Sequence, residues 1–349
     1  MIRDSHTGVV PLTPAPLMEI ANGFRMAKVL SVALEMGLFD TLSGTTGTTP
    51  DEFAADAGIS PRPAKMLLIA CASLGLLDKR DGRYHNSRHA EEFLVSGKPY
   101  FFGDLIRFVD RREYDGWGRL EEAIRRNRPT TWDPDAADTV FLPGDEQMLM
   151  MFWRALFSAA TFTARSVALS VDFRPYKRLL DVGGGSGAFS IQLCRIHPHL
   201  TATVYDQPFV CEMADKNIAE ADMTSRVTSF AGDFFEEDLP TGYDVVLLSD
   251  ILHDWNPEQN LTILRKCHAA LARDGAVIIS EAFVNDEGDG PVGGAMASLN
   301  MLVETTEGAN YSQREYEDLL RQAGFARFDR IGLILDTAGS NGLLVAHKR

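Results

Sequence analysis

The chain has 349 residues, of which 45% are hydrophobic and 24% charged, as in a globular protein long enough for two domains. The net charge of −15 argues against nucleic acid and anionic membranes as partners, because both attract clustered Lys and Arg. No apolar run approaches the roughly 20 residues of a membrane span, and the first residues lack the pattern of a signal peptide. The four cysteines, Cys71, Cys194, Cys211 and Cys267, include no CxxC pair, so we expect neither a zinc site nor disulfides, and a cytoplasmic location.

Residues 1–110 predict a mainly helical domain with the outline of a winged helix. A single long helix is expected over residues 20–42, with apolar residues on more than one face. A capping box with proline at the first helical position predicts a helix over 49–58, and a second helix follows over 60–74. Residues 75–87, GLLDKRDGRYHNS, predict a two-stranded hairpin that turns at the Asp-Gly pair.

A winged helix can bind DNA, but we favour dimerisation as the role of this domain. The helix in the recognition position, SPRPAKMLLIACASLG, carries only Arg62 and Lys65 and is otherwise apolar, which predicts a core helix. Reading a DNA groove requires several polar side chains facing the bases. We therefore predict a homodimer held by the N-terminal helices, with a cofactor-sensing DNA-binding regulator as the alternative.

Residues 111–169 predict connecting helices that contribute to a substrate pocket. The stretch EQMLMMFWRALFSAATF is apolar around most of its circumference and leads directly into the next domain. Its aromatic residues Phe152, Trp153 and Phe157 fit either a core or a pocket wall. We assign them to a pocket suited to a flat aromatic molecule.

Residues 170–349 alternate short apolar runs with helical stretches, which predicts an α/β domain with a Rossmann-like, doubly wound, mostly parallel sheet. Strands are predicted at RLLDVG, TATVYD, RVTSFAGD, YDVVLLSD, AVIISEAF and GLLVAHK. In such a sheet, ligands bind outside the carboxyl ends of the strands. The residues that follow each strand are therefore the candidates for function.

The first of these strands runs into the glycine cluster of LLDVGGGSGAFS. Gly183, Gly185 and Gly187 match the dinucleotide fingerprint, and they also match the glycine loop of methyltransferases that use S-adenosylmethionine. In both cases glycines let the backbone approach the ligand, and Asp206 at the end of the second strand is placed to bind a ribose diol. The glycine loop alone does not separate the two interpretations.

Residues that follow the later strands distinguish the dinucleotide interpretation from the S-adenosylmethionine interpretation. Asp233 and Phe234 follow the third strand, where a carboxylate and a ring suit the amino group and face of an adenine. His253 follows the fourth strand within SDILHDW, and Glu281 follows the fifth within ISEAF. Because these strands are expected to be neighbours, the two side chains should converge as a general base and the carboxylate that orients it.

The motifs DVGGGSG, YDQP, GDFF and LHDW, in this order, resemble the class I S-adenosylmethionine-dependent O-methyltransferases of plant phenylpropanoid and bacterial secondary metabolism. The resemblance covers nearly the whole chain, since that family also carries an N-terminal winged-helix dimerisation region. It implies that Gly183 and Gly185 contact the methionine end of the cofactor, Asp206 the ribose, and Asp233 with Phe234 the adenine, with Ser249 and Trp255 also beside the cofactor. It further implies that His253 is the base and that Glu281 positions it.

Two positions depart from the plant pattern. Ser249 stands where a lysine is common, and Asn310 stands where a second acid flanks the histidine. Ser249 weakens the expected contact with the cofactor carboxylate, and Asn310 removes one acidic partner of the histidine base. A family member that binds the cofactor without methylating therefore remains an alternative, as does methylation of a nitrogen or a carboxylate.

The expected reaction is a direct in-line displacement without a metal, leaving S-adenosylhomocysteine. A phenol has a pKa near 10, so it is mostly protonated at neutral pH and needs a base such as histidine, whose reference pKa is about 6.5. Besides the aromatic residues of 146–162, the residues expected to line the substrate pocket are Met296, Asn300, Met301 and Asn310. An NAD-dependent oxidoreductase is disfavoured because it would leave LHDW unexplained.

Overall fold

The computed structural model describes residues 12–136, 146–337 and 339–348, and it divides into two compact units, Met1–Phe101 and Phe102–Arg349. The helices predicted as a connecting segment belong to the same unit as the sheet. None of the helices within the described residues has the length and apolar character needed to cross a bilayer.

The first unit is helical with one hairpin. Its elements are α1 (Ala15–Glu35), α2 (Leu38–Leu42), α3 (Pro50–Ala57), α4 (Pro61–Ser73), β1 (Leu77–Arg80), β2 (Arg83–Asn86) and α5 (Arg88–Phe93). Helix α3 begins with the predicted capping box and ends at Gly58, which is left-handed. Strands β1 and β2 pair antiparallel, and the Asp81-Gly82 turn between them has positive φ angles of 49° and 81°, as this hairpin turn requires.

The single helix predicted over 20–42 is wrong. Helix α1 begins earlier, at Ala15, and ends at Glu35, and a short second helix then runs from Leu38 to Leu42. The break occurs at Gly37, whose φ of 66° is left-handed and cannot continue a right-handed helix. Apolar residues continue at helical spacing on both sides of Gly37, so the end of α1 could not be recognised from the sequence pattern.

Helix α4 is buried on one face only, so its prediction as a core helix was only partly correct. Ala64, Leu68 and Cys71 are buried, whereas Met66 and Ile69 are 57% and 49% exposed. Helix α1 likewise leaves large apolar side chains in solvent, among them Leu17, Met18, Ile20, Phe24, Met26 and Val32. Exposed apolar faces of this kind mark protein–protein interfaces.

The second unit is an α/β domain. Its helices are α6 (Gly103–Phe108), α7 (Tyr114–Trp117), α8 (Leu120–Arg126), α9 (Glu146–Ser170), α10 (Ala188–Ile196), α11 (Pro208–Glu220), α12 (Pro257–Ala270), α13 (Val292–Glu304) and α14 (Gln313–Ala323), with a π-helix over Val109–Glu113 and a 3₁₀ turn over Leu252–Asp254. Its strands are β3 (Arg178–Val182), β4 (Thr201–Asp206), β5 (Val227–Ala231), β6 (Tyr243–Ser249), β7 (Leu271–Glu281), β8 (Arg327–Ile331) and β9 (Gly342–His347).

These strands form one seven-stranded sheet in the order β5-β4-β3-β6-β7-β9-β8. Strands β3 to β7 pair in parallel, and β9 pairs antiparallel with both β7 and β8. Alternate residues of each strand face opposite core layers: Leu179 packs in one layer and Leu180 in the other. The predicted α/β, Rossmann-like fold with an N-terminal helical domain is confirmed.

Two elements were absent from the prediction. Strand β8 has the sequence RFDRI, whose charged residues conceal an edge strand. Helix α13 spans Val292–Glu304. No secondary structure was predicted for this segment, although three of its residues were predicted to line the substrate pocket. These residues are Met296, Asn300 and Met301.

Candidate active site

The glycine loop joins β3 to α10, and its conformation demands glycine. Gly183, Gly185 and Gly187 have φ angles of 67°, 57° and 85°, a region that L side chains rarely adopt. A Cβ on Gly183 would collide with the side chain of Ile251, and one on Gly185 would lie 3.4 Å from the Trp153 ring. The loop therefore presents bare backbone at the carboxyl end of β3.

Asp206, at the end of β4, is tied to this loop. Its Oδ2 accepts a hydrogen bond of 2.8 Å from the Gly185 N–H, and its Oδ1 accepts one of 2.7 Å from the Gln207 N–H. Burial raises the pKa of Asp206 to about 6, although both N–H groups oppose that shift. Asp181 of β3 stabilises the join between the loop and α10, because its buried carboxylate accepts a hydrogen bond of 2.7 Å from the Ser190 hydroxyl.

The residues predicted to surround the adenine lie after β5 and β6. Asp233 accepts a hydrogen bond of 2.8 Å from the Phe235 N–H and one of 3.3 Å from the Gln207 side chain. The rings of Phe234 and Trp255 contact each other edge to face at 6.0 Å, and Phe235 lies 4.8 Å from each. Phe235 had not been singled out from the sequence.

His253 lies in the 3₁₀ turn after β6, and Glu281 is the last residue of the neighbouring strand β7. His253 Nδ1 is 2.7 Å from Glu281 Oε2, and the glutamate side chain is 1% exposed. The other carboxylate oxygen accepts hydrogen bonds from the N–H groups of Ile251 and Leu252. The histidine ring is thus held through Nδ1.

Two further carboxylates surround the imidazole. Asp254 Oδ1 is 3.6 Å from His253 Nε2, and Asp250 has a strained positive φ of 53°. Burial lowers the pKa of His253, but the charges of Glu281, Asp254 and Asp250 outweigh burial and raise it to about 10. Burial raises the pKa of Asp254 to about 6, and it also raises that of Asp250.

Asp250, His253 and Glu281 also form a possible metal-binding group, since their ligand atoms lie within 4.8 Å of one another. Three protein ligands is the number found in catalytic zinc sites. A metal would have to replace the short contact between His253 and Glu281. Methyl transfer without a metal stays a prediction.

Ser249 is the last residue of β6, where it stands opposite Ser280 of β7. Asn310 is buried, and its side chain donates a hydrogen bond of 2.8 Å to the carbonyl of Ala282, the residue after Glu281. The asparagine that replaces the second acid thus contacts the end of β7, next to the carboxylate that holds His253.

The aromatic residues of α9 separate into two groups. Phe152 and Trp153 are each 7% exposed and contact each other edge to face at 5.3 Å, and Trp153 faces the glycine loop. Phe157 packs instead against the core layer that contains Ala164 and Val167. The described contacts therefore bring two of the three predicted aromatics to the site.

Helix α13 carries the other predicted pocket residues. Asn300 accepts a hydrogen bond of 2.7 Å from the Trp117 indole, and Met301 is nearly buried at 9% exposure. Met296 is 47% exposed, one turn before Asn300. Of these three residues, Asn300 and Met301 lie deepest in the unit.

A buried ion pair that was not predicted from the sequence lies beside these residues. Arg112 lies in the π-helix, and its Nη2 donates to Glu304 Oε2 at 3.0 Å, with side chains only 7% and 11% exposed. The guanidinium carbon is 5.5 and 5.8 Å from the ring centroids of Phe108 and Phe152. The partners are separated by 192 residues, so no local pattern could have paired them.

The fold and the site define a class of enzyme: a Rossmann-like α/β protein with a glycine-rich nucleotide crevice and a histidine–carboxylate pair at its mouth. Residues 117–326 match the family model of the O-methyltransferase domain, and residues 18–96 match that of the O-methyltransferase dimerisation domain. The chain therefore belongs to the S-adenosylmethionine-dependent O-methyltransferase family.

Individual relatives agree with the family match. The chain is 45% identical to the 3-hydroxy-5-methyl-1-naphthoate 3-O-methyltransferase of Streptomyces sahachiroi over 350 residues, covering 100% of both chains. It is 32% identical to the L-tyrosine C(3)-methyltransferase of Streptomyces lavendulae, covering 91% of this chain and 88% of that one. Among solved structures it resembles human N-acetylserotonin methyltransferase in complex with S-adenosylmethionine, with a TM-score of 0.85, 28% identity, and 98% and 99% of the two chains covered.

Proposed function

We propose that this enzyme methylates a phenolic hydroxyl of a small aromatic secondary metabolite, with His253 as the general base. The observation that carries this proposal is the 2.7 Å contact between His253 and Glu281, next to the glycine loop. The naphthoate substrate in the name of the 45% identical relative supports a flat aromatic molecule.

The cofactor residues fit an adenosyl group. The backbone at Gly183 and Gly185 carries no side chain, which suits close contact with the methionine end of the cofactor. Asp206 is partly exposed to solvent, so its carboxylate oxygens can accept hydrogen bonds from a ribose diol. Asp233 and Phe234 are half-buried, as residues around an adenine would be. When bound, S-adenosylmethionine supplies an electrophilic methyl carbon on a sulfonium.

Ser249 and Trp255 complete the proposed cofactor site from the end of β6 and the turn after it. Trp255 belongs to the aromatic group that includes Phe234. Ser249 is the last residue of β6, the strand that pairs with β3, so it lies at the edge of the sheet where the glycine loop begins. A serine offers a hydroxyl but no positive charge. The other hydrogen bonds to the cofactor carboxylate would therefore come from N–H groups of the loop backbone.

His253 is suited to remove a phenolic proton. Glu281 fixes Nδ1, so Nε2 of the neutral ring is the atom that accepts the proton from the substrate. The surrounding carboxylates raise the pKa of His253 to about 10, which is close to that of a phenol. At neutral pH most of the ring is therefore protonated, and the neutral fraction that can accept the phenolic proton grows as the pH rises toward 10. The same carboxylates stabilise the imidazolium that forms when the ring accepts that proton.

The substrate would lie against Phe152, Trp153, Asn300, Met301 and Asn310. Phe157 and Met296 have weaker support, because one packs in the core and the other is largely exposed. Apolar walls with a few convergent polar groups are typical of small-molecule sites.

A homodimer and a cytoplasmic location complete the proposal. The dimerisation-domain match and the exposed apolar faces of α1 and α4 support the dimer. All four cysteines are free and buried, which suits a reducing compartment.

Methyl transfer to defined acceptors tests the proposal. The purified enzyme is incubated with labelled S-adenosylmethionine, EDTA and a panel of naphthols, hydroxynaphthoates, anilines and aromatic acids. We expect a phenolic methyl ether and S-adenosylhomocysteine, with EDTA making no difference. A methylated carbon, nitrogen or carboxylate as the product, or no product with cofactor bound, contradicts the proposal.

A further inference from the structure

The Arg112–Glu304 pair contains two buried polar atoms that the described residues leave without partners. Arg112 donates through Nη2 to Glu304, but its Nε is buried and has no acceptor among the described residues. Glu304 Oε1 is buried and lacks a donor in the same part of the chain. Buried polar atoms in native proteins are nearly always hydrogen-bonded, so the unpaired Nε donor of Arg112 points to an acceptor group on a ligand.

Arg112 lies beside the proposed substrate pocket. Its guanidinium lies against the rings of Phe108 and Phe152, and Phe152 contacts Trp153, which faces the glycine loop. The residue belongs to the π-helix Val109–Glu113, and π-helical turns occur frequently at functional sites.

Glu304 connects the pair to the catalytic histidine. It is the last residue of α13, the helix that carries Asn300. The segment that follows reaches the 3₁₀ turn, since a Cβ on Gly308 would collide with the backbone oxygen of His253. The charge of Glu304 also contributes to the raised pKa of Asp254. Arg112 and His253 are therefore parts of one connected site.

We propose that Arg112 binds the carboxylate of a hydroxylated aromatic carboxylic acid and thereby selects this class of substrate. The inference rests on the proposed function, because it assumes that the ring of the same molecule brings its hydroxyl to His253. A guanidinium presents planar N–H donors that match a carboxylate, and its aromatic neighbours provide apolar walls for a flat ring.

The existing charges around Arg112 are compatible with a second carboxylate. Glu304 faces the guanidinium, and Glu113 is another acid close to the pair. Burial, followed by the charge of Glu304, raises the pKa of Glu113 to about 7. Glu113 can therefore hold a proton near neutral pH, which reduces the repulsion that an incoming carboxylate would meet.

The variants must separate recognition from folding. Arg112→Met removes the donors but leaves Glu304 buried without its cation, which threatens folding. The double variant Arg112→Met/Glu304→Gln removes both charges together and avoids that problem. Arg111→Met is the matched control, because it removes an exposed arginine from the same π-helix.

The test measures binding by calorimetry to enzyme saturated with S-adenosylhomocysteine. The probes are 3-hydroxy-1-naphthoate, 3-hydroxy-1-naphthamide and 2-naphthol, which share a ring and a hydroxyl. We expect the wild type and Arg111→Met to bind the carboxylate about 10- to 100-fold more tightly than 2-naphthol. The double variant should bind 3-hydroxy-1-naphthoate no more tightly than 2-naphthol, so that the preference is lost.

Two results would overturn the inference. One is a wild type that binds the naphthoate no more tightly than 2-naphthol or the amide. The other is a double variant that keeps the preference, which would make the ion pair purely structural. Binding is read without turnover, so Arg112-dependent binding with no methyl transfer would refute the proposed function alone. Methylation of 2-naphthol without a carboxylate preference would refute this inference alone.

Discussion

Glu281 holds both the ring of His253 and the backbone of the turn that carries it. One oxygen lies 2.7 Å from His253 Nδ1, and the other accepts hydrogen bonds of 3.1 and 3.0 Å from the N–H groups of Ile251 and Leu252. The carboxylate therefore fixes the orientation of the ring and places the proton of the neutral imidazole on Nδ1. In the proposed mechanism, Nε2 is the atom that accepts the substrate proton.

Replacing Glu281 with glutamine should reduce kcat without weakening cofactor binding. The amide retains the shape but loses the charge that stabilises the imidazolium formed during the reaction. The reduction should be smaller than the about 10²–10⁴-fold expected from loss of the base itself. Steady-state kinetics and calorimetry with S-adenosylhomocysteine measure the two quantities, and an unchanged kcat would show that the carboxylate has no role in proton transfer.

The raised pKa of His253 predicts how stability depends on pH. The folded-state pKa of about 10 lies above the unfolded value near 6.5, so the imidazolium stabilises the fold. This contribution is fully present below pH 6.5 and is lost as the pH rises through about 10. The difference in unfolding free energy between wild type and His253→Gln, measured in urea at pH 6, 8 and 10, should shrink across this range. A difference that stays constant would contradict the raised pKa.

The meeting of His253 with Glu281 could be anticipated because parallel neighbouring strands bring their carboxyl ends to one edge of the sheet. The Arg112–Glu304 pair could not, since it joins a π-helix to the end of a helix far along the chain. Helix α13 was missed because its sequence, VGGAMASLNMLVE, begins with two glycines, which are weak helix formers. Gly37 shows the opposite error, where a continuous apolar pattern hid a backbone break.

Asp206→Asn should weaken binding of S-adenosylmethionine. The substitution removes the charge that assists hydrogen bonds to a ribose diol, and such bonds contribute about 1.5–3 kcal/mol, or roughly 10- to 150-fold in Kd. Calorimetry gives the Kd, and Asp215→Asn on the exposed face of α11 is the control. Equal affinity in the two variants would remove Asp206 from the cofactor site.

Ile20→Asp should weaken the proposed homodimer. Ile20 is 80% exposed on α1, and a carboxylate there would have to be desolvated in an apolar interface. Light scattering at micromolar concentration should give a dimer mass for the wild type and a lower mass for the variant. Ile334→Asp, at a 64% exposed position of the second unit, should remain dimeric. A monomeric wild type would refute the proposal.

The proposed removal of the substrate's hydroxyl proton by His253 is tested by measuring methyl transfer by His253→Ala. With a phenolic acceptor, the rate should fall by about 10²–10⁴-fold while the affinity for S-adenosylmethionine is nearly unchanged. Raising the pH should partly restore the rate, because hydroxide then supplies the phenolate. Unchanged turnover in the variant would show that His253 is a structural residue and takes no part in proton transfer.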